Sequence, residues 1–240
     1  MEQRASSPVQ AAYHHLRMDH SRIAELLHPF LAACSSACHP EERSDEVSAV
    51  ELSPVQLQSI STYINLLLRW NAGINLTAVR DPENIVTRHF GESLFAARHL
   101  SPFPGDDLID IGSGAGFPGL PIKILFPHLH LTLIESNHKK VAFLREVSRI
   151  ITLTDINVIS GRAESLPAAS AHTVTLRAVE RFDSALLVAA RIVAASGRLA
   201  LLISRAQVPR THLLAPDFNW RAPIPTPLSS ARLLLIGTRA

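Results

Sequence analysis

The fourteen residues from Leu108 to Pro121, Leu-Ile-Asp-Ile-Gly-Ser-Gly-Ala-Gly-Phe-Pro-Gly-Leu-Pro, restrict what this chain can fold into more than any other stretch. Leu108, Ile109 and Ile111 flank Asp110 as in a short buried strand, and Gly112-x-Gly114-x-Gly116 follows at once. Glycines in such a turn permit positive φ and let the backbone come close to a ligand. A helix-forming run begins at Pro118, and proline suits a first helical turn because its missing N–H would be unpaired there anyway. Strand, glycine-rich turn and helix N-terminus together make a nucleotide- or cofactor-binding corner of an α/β sheet.

The surrounding pattern fits that corner. Strands are predicted near 107–111, 129–135, 156–160, 172–177 and 199–203. Helices near 119–126, 138–150 and 183–195 alternate with them, the last stopped by Ser196-Gly197. This alternation implies a largely parallel sheet with helices on both faces. Two more extended segments, about 217–222 and 231–238, are joined through Pro223-Ile-Pro-Thr-Pro227 without a helix. They are expected to form a hairpin that leaves the last strand antiparallel to its neighbours. Upstream, Ser53 as N-cap and Pro54 open a strong helix with Leu57, Ile60, Ile64, Leu67 and Leu68 on one face, ending near Trp70-Asn-Ala-Gly73. An earlier helix is predicted over Ser21 to Ala33, and Cys34 to Ser48 offers so little to bury that it reads as a flexible insertion. The expected organisation is an N-terminal helix and polar insertion (1–50), a helical substrate-side segment (51–106) and the α/β domain (107–240).

Composition excludes several classes. With 240 residues, 47% of them hydrophobic, the chain can bury one sizeable core. No apolar run approaches the roughly 18–20 residues of a membrane span. The N-terminus shows no apolar stretch after a basic one, so no secretory signal is read and a cytoplasmic location is expected. Cys34 and Cys38 are too few for a disulfide framework and lack paired neighbours for zinc, so no metal is expected. The first fifty residues carry four arginines and seven acids, the remainder nineteen basic residues and fourteen acids. A mildly basic body is compatible with a nucleic-acid partner without requiring one.

Gly114-x-Gly116-x-x-Gly119 formally satisfies the dinucleotide fingerprint, which leaves a nicotinamide or flavin reading open. Two features favour S-adenosylmethionine. Asp110, two residues before Gly112, can attract the ammonium of a methionine moiety, where a pyrophosphate would be repelled. Pro118 also removes a backbone N–H where a dinucleotide loop aims one at phosphate. Glu135, ending the second strand, suits the ribose hydroxyls of either cofactor. Glu164 in Gly161-Arg-Ala-Glu164 can take an adenine amino group while the Ala163 N–H meets a ring nitrogen.

The order of several further motifs carries a family resemblance. Trp70-Asn-Ala-Gly-Ile-Asn75-Leu-Thr-Ala-Val-Arg80-Asp-Pro82 precedes Arg88-His89-Phe-Gly-Glu-Ser93-Leu94 and the glycine corner, with Lys139-Lys-Val-Ala-Phe-Leu144, Gly161-Arg-Ala-Glu164 and Arg177-Ala178 downstream. Over roughly residues 52–205 the chain resembles the RsmG (GidB) family, bacterial methyltransferases acting on small-subunit ribosomal RNA. The resemblance implies a Rossmann-like class I S-adenosylmethionine-dependent methyltransferase sheet with a small helical N-terminal portion. It implies that Gly112, Gly114 and Phe117 line the methionine and ribose side, with Ala163 and Glu164 at the adenine. Arg177 would sit at the floor of the reaction site, positioning substrate and cofactor with no general base. The implied reaction is methylation of guanine N7 in 16S ribosomal RNA, free or within the small subunit.

That chemistry agrees with what the chain lacks. Guanine N7 is an unprotonated lone pair, neither cysteine lies near the sheet's catalytic edge, and Leu176-Arg-Ala-Val179 replaces the Asp/Asn-Pro-Pro-aromatic motif of many amine methylators. Arg69, Arg80, Arg88, His89, Lys139, Lys140 and Arg145 are candidate phosphate contacts, with Trp70 a candidate stacking residue. The chain departs from the family at Leu202-Ile203-Ser204, where a lysine usually follows the fifth strand and Arg205 is the nearest cation. It also has Glu92 where the family usually has Asp. Alternatives are the same fold acting on another RNA or a small molecule, and a non-catalytic RNA-binding or assembly protein.

Overall fold

Period-two alternation decides which side of each strand meets which helices in the computed structural model, which describes residues 18–32, 49–102 and 105–240. The polar stretch from Cys34 to Ser48, and with it both cysteines, lies outside the described residues. Eight strands form one sheet: β1 (Asp107–Ile111), β2 (His130–Glu135), β3 (Ile156–Ser160), β4 (Ala171–Arg177), β5 (Val193–Ser204), β6 (Phe218–Trp220), β7 (Ile224–Pro225) and β8 (Arg232–Arg239). Their order is β3-β2-β1-β4-β5-β8-β6, with β7 also pairing β8. The first five strands pair in parallel with one another, and β8 runs antiparallel to β5, β6 and β7.

Along β1, Leu108 faces one apolar cluster while Ile109 and Ile111 face another. The first cluster takes in α1 (His20–Leu31), α2 (Pro54–Asn71), α4 (Glu92–Leu100), α5 (Gly119–Leu125) and α6 (His138–Ile150), through residues such as Leu27, Ile64, Leu94, Leu120 and Phe143. The second takes in α7 (Phe182–Ile192) through Leu186, Ala189 and Ile192. The short α8 (Val208–Leu214) packs beside α7. The helical N-terminal portion therefore shares its core with one face of the sheet. At the start of α2, Ser53 and Gln56 form a reciprocal capping box. The Gln56 amide also donates to the Ile124 and Leu125 carbonyls at the end of α5, at 3.0 and 3.3 Å.

Between α2 and the sheet, Asp81 caps a short helix, α3 (Pro82–Ile85), which continues through a π-helical segment, Val86–Gly91, into α4. The Arg88-His89 motif sits in that π segment, a form often found at functional sites. Gly91 is required there because a Cβ would come within 2.5 Å of the Phe30 ring.

The largest differences from the sequence reading lie around β5. The helix expected to reach 195 ends at Ile192, and β5 begins at Val193 because that residue pairs with Ala171. Ser196-Gly197 consequently falls inside β5, at a register shift, with Ser196 at φ +58°. Between β5 and β6 the chain also forms α8, which the sequence reading left without a helix.

Candidate active site

The glycine corner joins β1 to α5, with φ of +66° at Gly112, +57° at Gly114 and +92° at Gly116. Gly116 is set by packing as well as by conformation. A Cβ there would run into the Tyr63 hydroxyl and come within 2.6 Å of Leu120 Cδ1. The turn is stitched to the strands beside it. Ser113 Oγ donates to the Asp110 carbonyl at 2.8 Å and accepts from the Ile134 N–H at 3.2 Å. The Gly114 N–H donates to Glu135 Oε2 at 2.9 Å, and Glu135 Oε1 accepts from the Asn137 N–H at 2.8 Å.

Parallel pairing of β1, β2 and β3 brings the sequence-predicted cofactor residues to one edge of the sheet, since Ile111 registers with Ile134 and Glu135 with Ser160. Gly112 is exposed at that edge. Glu135 is nearly buried, and each of its carboxylate oxygens keeps a lone pair beyond the bond it accepts. After β3, Ala163–Ser165 form a 3-10 turn in which Ala163 is buried and Glu164 exposed. The Glu164 carboxylate makes no hydrogen bond among the described residues. An exposed glycine turn, a carboxylate with acceptor capacity and a second free carboxylate fit the backbone, ribose and adenine requirements of S-adenosylmethionine.

Asp110, two residues before the first glycine, is buried. It is 1% exposed, and both of its oxygens are engaged: Oδ1 accepts from Thr175 Oγ1 at 2.8 Å and Oδ2 from the Gly119 N–H at 3.3 Å. Burial raises its pKa from 3.8 to about 6, against the lowering effect of Thr175, Gly119 and Ser113. Asp110 therefore ties the start of α5 to β1 and β4, and each of its oxygens, like those of Glu135, keeps a lone pair beyond the bond it accepts. Phe117 follows the third glycine of the turn. Its ring is buried, stacked on Tyr63 at 5.4 Å and on His89 at 4.8 Å, with the Phe90 edge at 5.2 Å. Tyr63, whose hydroxyl donates to the Ala115 carbonyl, anchors the turn to α2, a contact no local motif announces.

Arg177 ends β4 on the same face as Thr173 and Thr175, while Val174 and Leu176 join the opposite core. That polar face of β4 was the available signal for a buried network. From Nη2 the guanidinium donates to the Arg88 carbonyl at 2.7 Å, to His89 Nδ1 at 3.1 Å and to Glu92 Oε2 at 2.9 Å. Its Nε is buried without a partner among the described residues. Glu92 also receives Arg232 Nη1 on both oxygens, at 3.1 and 2.8 Å. The side chains of Arg177 and Glu92 are 7% and 5% exposed, against 36% for Arg232. Burial pulls the Arg177 pKa down, with the Glu92 charge acting against it. His89 falls to about 3, first through burial and then through the Arg177 charge, and is a neutral ring. It is buried and so is no phosphate contact. Arg69, Arg80, Arg88, Lys139 and Arg145 are exposed, and Lys140 partly so. At the end of β5, Ile203 is buried and Arg205 exposed; the cation brought onto Glu92 is Arg232, which registers with Ser204. Sequence reasoning did not assign Glu92 or Arg232 as partners of Arg177.

The model of the family GidB, rRNA small subunit methyltransferase G, matches residues 56–221. This chain belongs to that family. The ribosomal RNA small subunit methyltransferase G of Xylella fastidiosa is 35% identical over 202 residues, covering 82% of this chain and 93% of that protein. The protein of the same name from Bacillus pumilus is 38% identical over 143 residues, covering 58% of this chain and 60% of the relative. This chain thus spans about three-fifths of the Bacillus relative and nearly all of the Xylella one. In fold, it is similar to M. jannaschii TYW2 solved in complex with AdoMet, with TM-score 0.52 and 14% identity over 70% of this chain and 78% of that one. The fold is the Rossmann-like class I methyltransferase sheet. The GidB match ends before β8, so Arg232 lies beyond it. Among the described residues no helix is long and apolar enough to cross a membrane. Among the same residues no group of three or more His, Cys, Asp or Glu could hold a metal ion.

Proposed function

We propose that this chain transfers a methyl group from S-adenosylmethionine to N7 of a guanine in 16S ribosomal RNA, in the cytoplasm. The observation that carries this reading is the convergence, in a GidB-family chain, of the exposed Gly112 turn, Glu135 and Glu164 at one edge of the sheet, with Arg177 ending β4 beside them. Gly112, Gly114 and the Phe117 backbone would hold the methionine side, Glu135 the ribose hydroxyls, and Ala163 with Glu164 the adenine. When bound, S-adenosylmethionine supplies an electrophilic methyl carbon on a sulfonium sulfur.

The chain's own part is to position rather than to move protons. Guanine N7 carries an unprotonated lone pair at neutral pH, so no side chain has to remove a proton from it. The buried bases near the turn agree with that. His89 has both ring nitrogens engaged, by Arg177 and by Thr77 Oγ1 at 2.8 Å, and Asp110 has both oxygens engaged. Aligning acceptor and donor in line supplies much of the rate advantage in such a transfer. Arg177, held by Glu92, is the positioning cation. Exposed Arg80, Arg88, Lys139 and Arg145 supply the charge that RNA phosphates need, by backbone contact and shape rather than base stacking.

The decisive experiment maps 16S ribosomal RNA modification in a deletion strain and its complemented counterpart. Loss of one guanine N7 methyl on deletion, restored by the gene, is the expected result; an unchanged map refutes the assignment. Methyl transfer to free RNA against assembled small subunits then separates the two forms of substrate. A different RNA acceptor is the second reading, favoured by the buried Ile203 at the end of β5, and label from the cofactor entering a non-ribosomal RNA fraction would select it.

A further inference from the structure

Arg177 is held by a single nitrogen. All three of its hydrogen bonds leave from Nη2, and neither Nη1 nor Nε donates one among the described residues. A guanidinium has five N–H groups in a rigid planar fork, so fixing one nitrogen and the plane fixes where the other two point. One of the Nη2 acceptors is shared, since Glu92 also serves Arg232, and the Arg88 carbonyl is held by the backbone of the π segment. The third acceptor is His89, whose ring is fixed from two further directions: its Nε2 meets Thr77 Oγ1 at 2.8 Å and its face stacks on Phe117 at 4.8 Å.

The contacts admit two tautomers. Because Arg177 can only donate, a hydrogen bond from Nη2 to Nδ1 requires a bare Nδ1 and the proton on Nε2, where it donates to Thr77; the other tautomer turns an Nδ1–H toward the Arg88 carbonyl. Thr77 is held in turn, its hydroxyl oxygen accepting the Val79 N–H at 3.1 Å and its backbone N–H donating to Asn71 Oδ1 at 3.0 Å. In the Nε2-protonated form a chain of single-direction bonds runs from the Asn71–Val79 loop through His89 to Arg177.

We propose that His89 is a positioning residue for the methyl transfer: as the Nε2-protonated tautomer it orients Arg177 through Nδ1, leaving Nη1 of that arginine for the bound ligands. This rests on the methyltransferase reading above and on the place it gives Arg177. The side chains facing the ring are Arg177, Thr77 and Phe117, with the Arg88 and Arg232 charges also acting on it.

Three substitutions separate positioning from mere support. His89→Asn places an amide oxygen near the Nδ1 position and can still accept from Arg177. His89→Gln reaches the Nε2 position and can still meet Thr77, and His89→Leu does neither. Purified full-length protein is assayed for methyl transfer to small-subunit RNA, with kcat, KM for each substrate and thermal midpoint recorded. The expected result is that Leu and Gln lower kcat/KM by about 10–100-fold, the scale of a misplaced positioning group, while Asn stays within about fivefold of the parent. Rescue by Gln instead of Asn, equal loss in all three, or no loss in Leu overturns the proposal. Should the variants fail to fold, 15N NMR of the parent protein at neutral pH decides: an unprotonated Nδ1 supports it and a protonated Nδ1 overturns it. A parent protein that transfers no methyl to any RNA refutes the functional reading itself, and the tautomer measurement still reports on His89.

Discussion

Replacing Glu92 by Gln removes the one negative charge that lies between Arg177 and Arg232 while keeping shape and one carbonyl acceptor. The two arginines respond differently. Arg232, 36% exposed in its side chain, can turn to water, whereas Arg177, 7% exposed, cannot. An uncompensated buried charge of this kind costs about 3–5 kcal/mol. The retained amide oxygen places Glu92→Gln at the lower end, about 3 kcal/mol, which is about 6–12 °C in Tm for a chain of this length. The discriminating variant is the double one. Glu92→Gln with Arg177→Met removes both buried charges, and replacing a buried pair by apolar groups is often neutral. The double variant should therefore lie within about 1 kcal/mol of the parent, although its methyl transfer is lost. Urea unfolding followed by circular dichroism, with midpoints and slopes compared, measures both. A double variant no more stable than Glu92→Gln alone would show that the loss comes from packing, and the reasoning from charge would be wrong.

The remaining predictions concern the turn, the adenine side and acid stability. Gly116→Ala, at φ +92° and against Tyr63 and Leu120, should lower stability by about 2–3 kcal/mol, whereas Gly114→Ala, whose Cβ meets nothing nearer than 3.7 Å, should cost about 1 kcal/mol; thermal midpoints of the two rank them. Glu164→Ala, at an exposed carboxylate with no protein partner, should leave Tm unchanged and weaken S-adenosylmethionine binding about tenfold by calorimetry, the loss of about one good hydrogen bond, with RNA affinity retained. Asp110 is raised from 3.8 to about 6, so its contribution to stability is present at low pH and lost as pH rises through about 6. His89 is lowered from 6.5 to about 3, so its contribution is present above 6.5 and lost as pH falls toward 3. Between pH 6 and 4 the two contributions oppose and nearly cancel, so the parent should change little, Asp110→Asn should lose stability on acidification and His89→Asn should gain it. Tm recorded against pH checks the order, and a His89→Asn profile that follows the parent's would contradict a buried neutral ring.

The parts of this protein legible in its sequence are those specified within a few neighbouring residues. Alternation of Leu108, Ile109 and Ile111 marked β1, and β3 and α6 run over the predicted 156–160 and 138–150. Gly112 and Gly114 were readable as turn glycines because positive φ is a local demand, met at both. The antiparallel last strand followed from its helix-free connection, and β6 and β8 do pair in that sense. Failures began where a partner strand overrode local preference. Ser196-Gly197 looks like a helix stop, yet pairing with β4 on one side and β8 on the other carries β5 from Val193 to Ser204.

The site divides along the same line. That Gly112, Glu135 and Glu164 meet at one edge could be anticipated because parallel strands deliver their C-terminal residues to one side, which needed only the right strand order. What each buried polar group does could not be read, because its partners are distant in the chain. Thr175, sixty-five residues on, gives Asp110 a hydrogen-bond partner that its own neighbourhood does not announce. Phe117 is packed against Tyr63, which α2 brings from far upstream. Arg177 could be named from its position after β4, but Glu92 and Arg232 reach each other across 140 residues of sequence. The strand-turn-helix corner, the class of sheet and the family are written in the residues themselves, because backbone conformation and alternation are encoded locally. Which charges are paired, which ring is neutral and which carboxylates keep no protein partner emerges with folding, because burial and hydrogen bonding belong to groups that meet only in the folded chain.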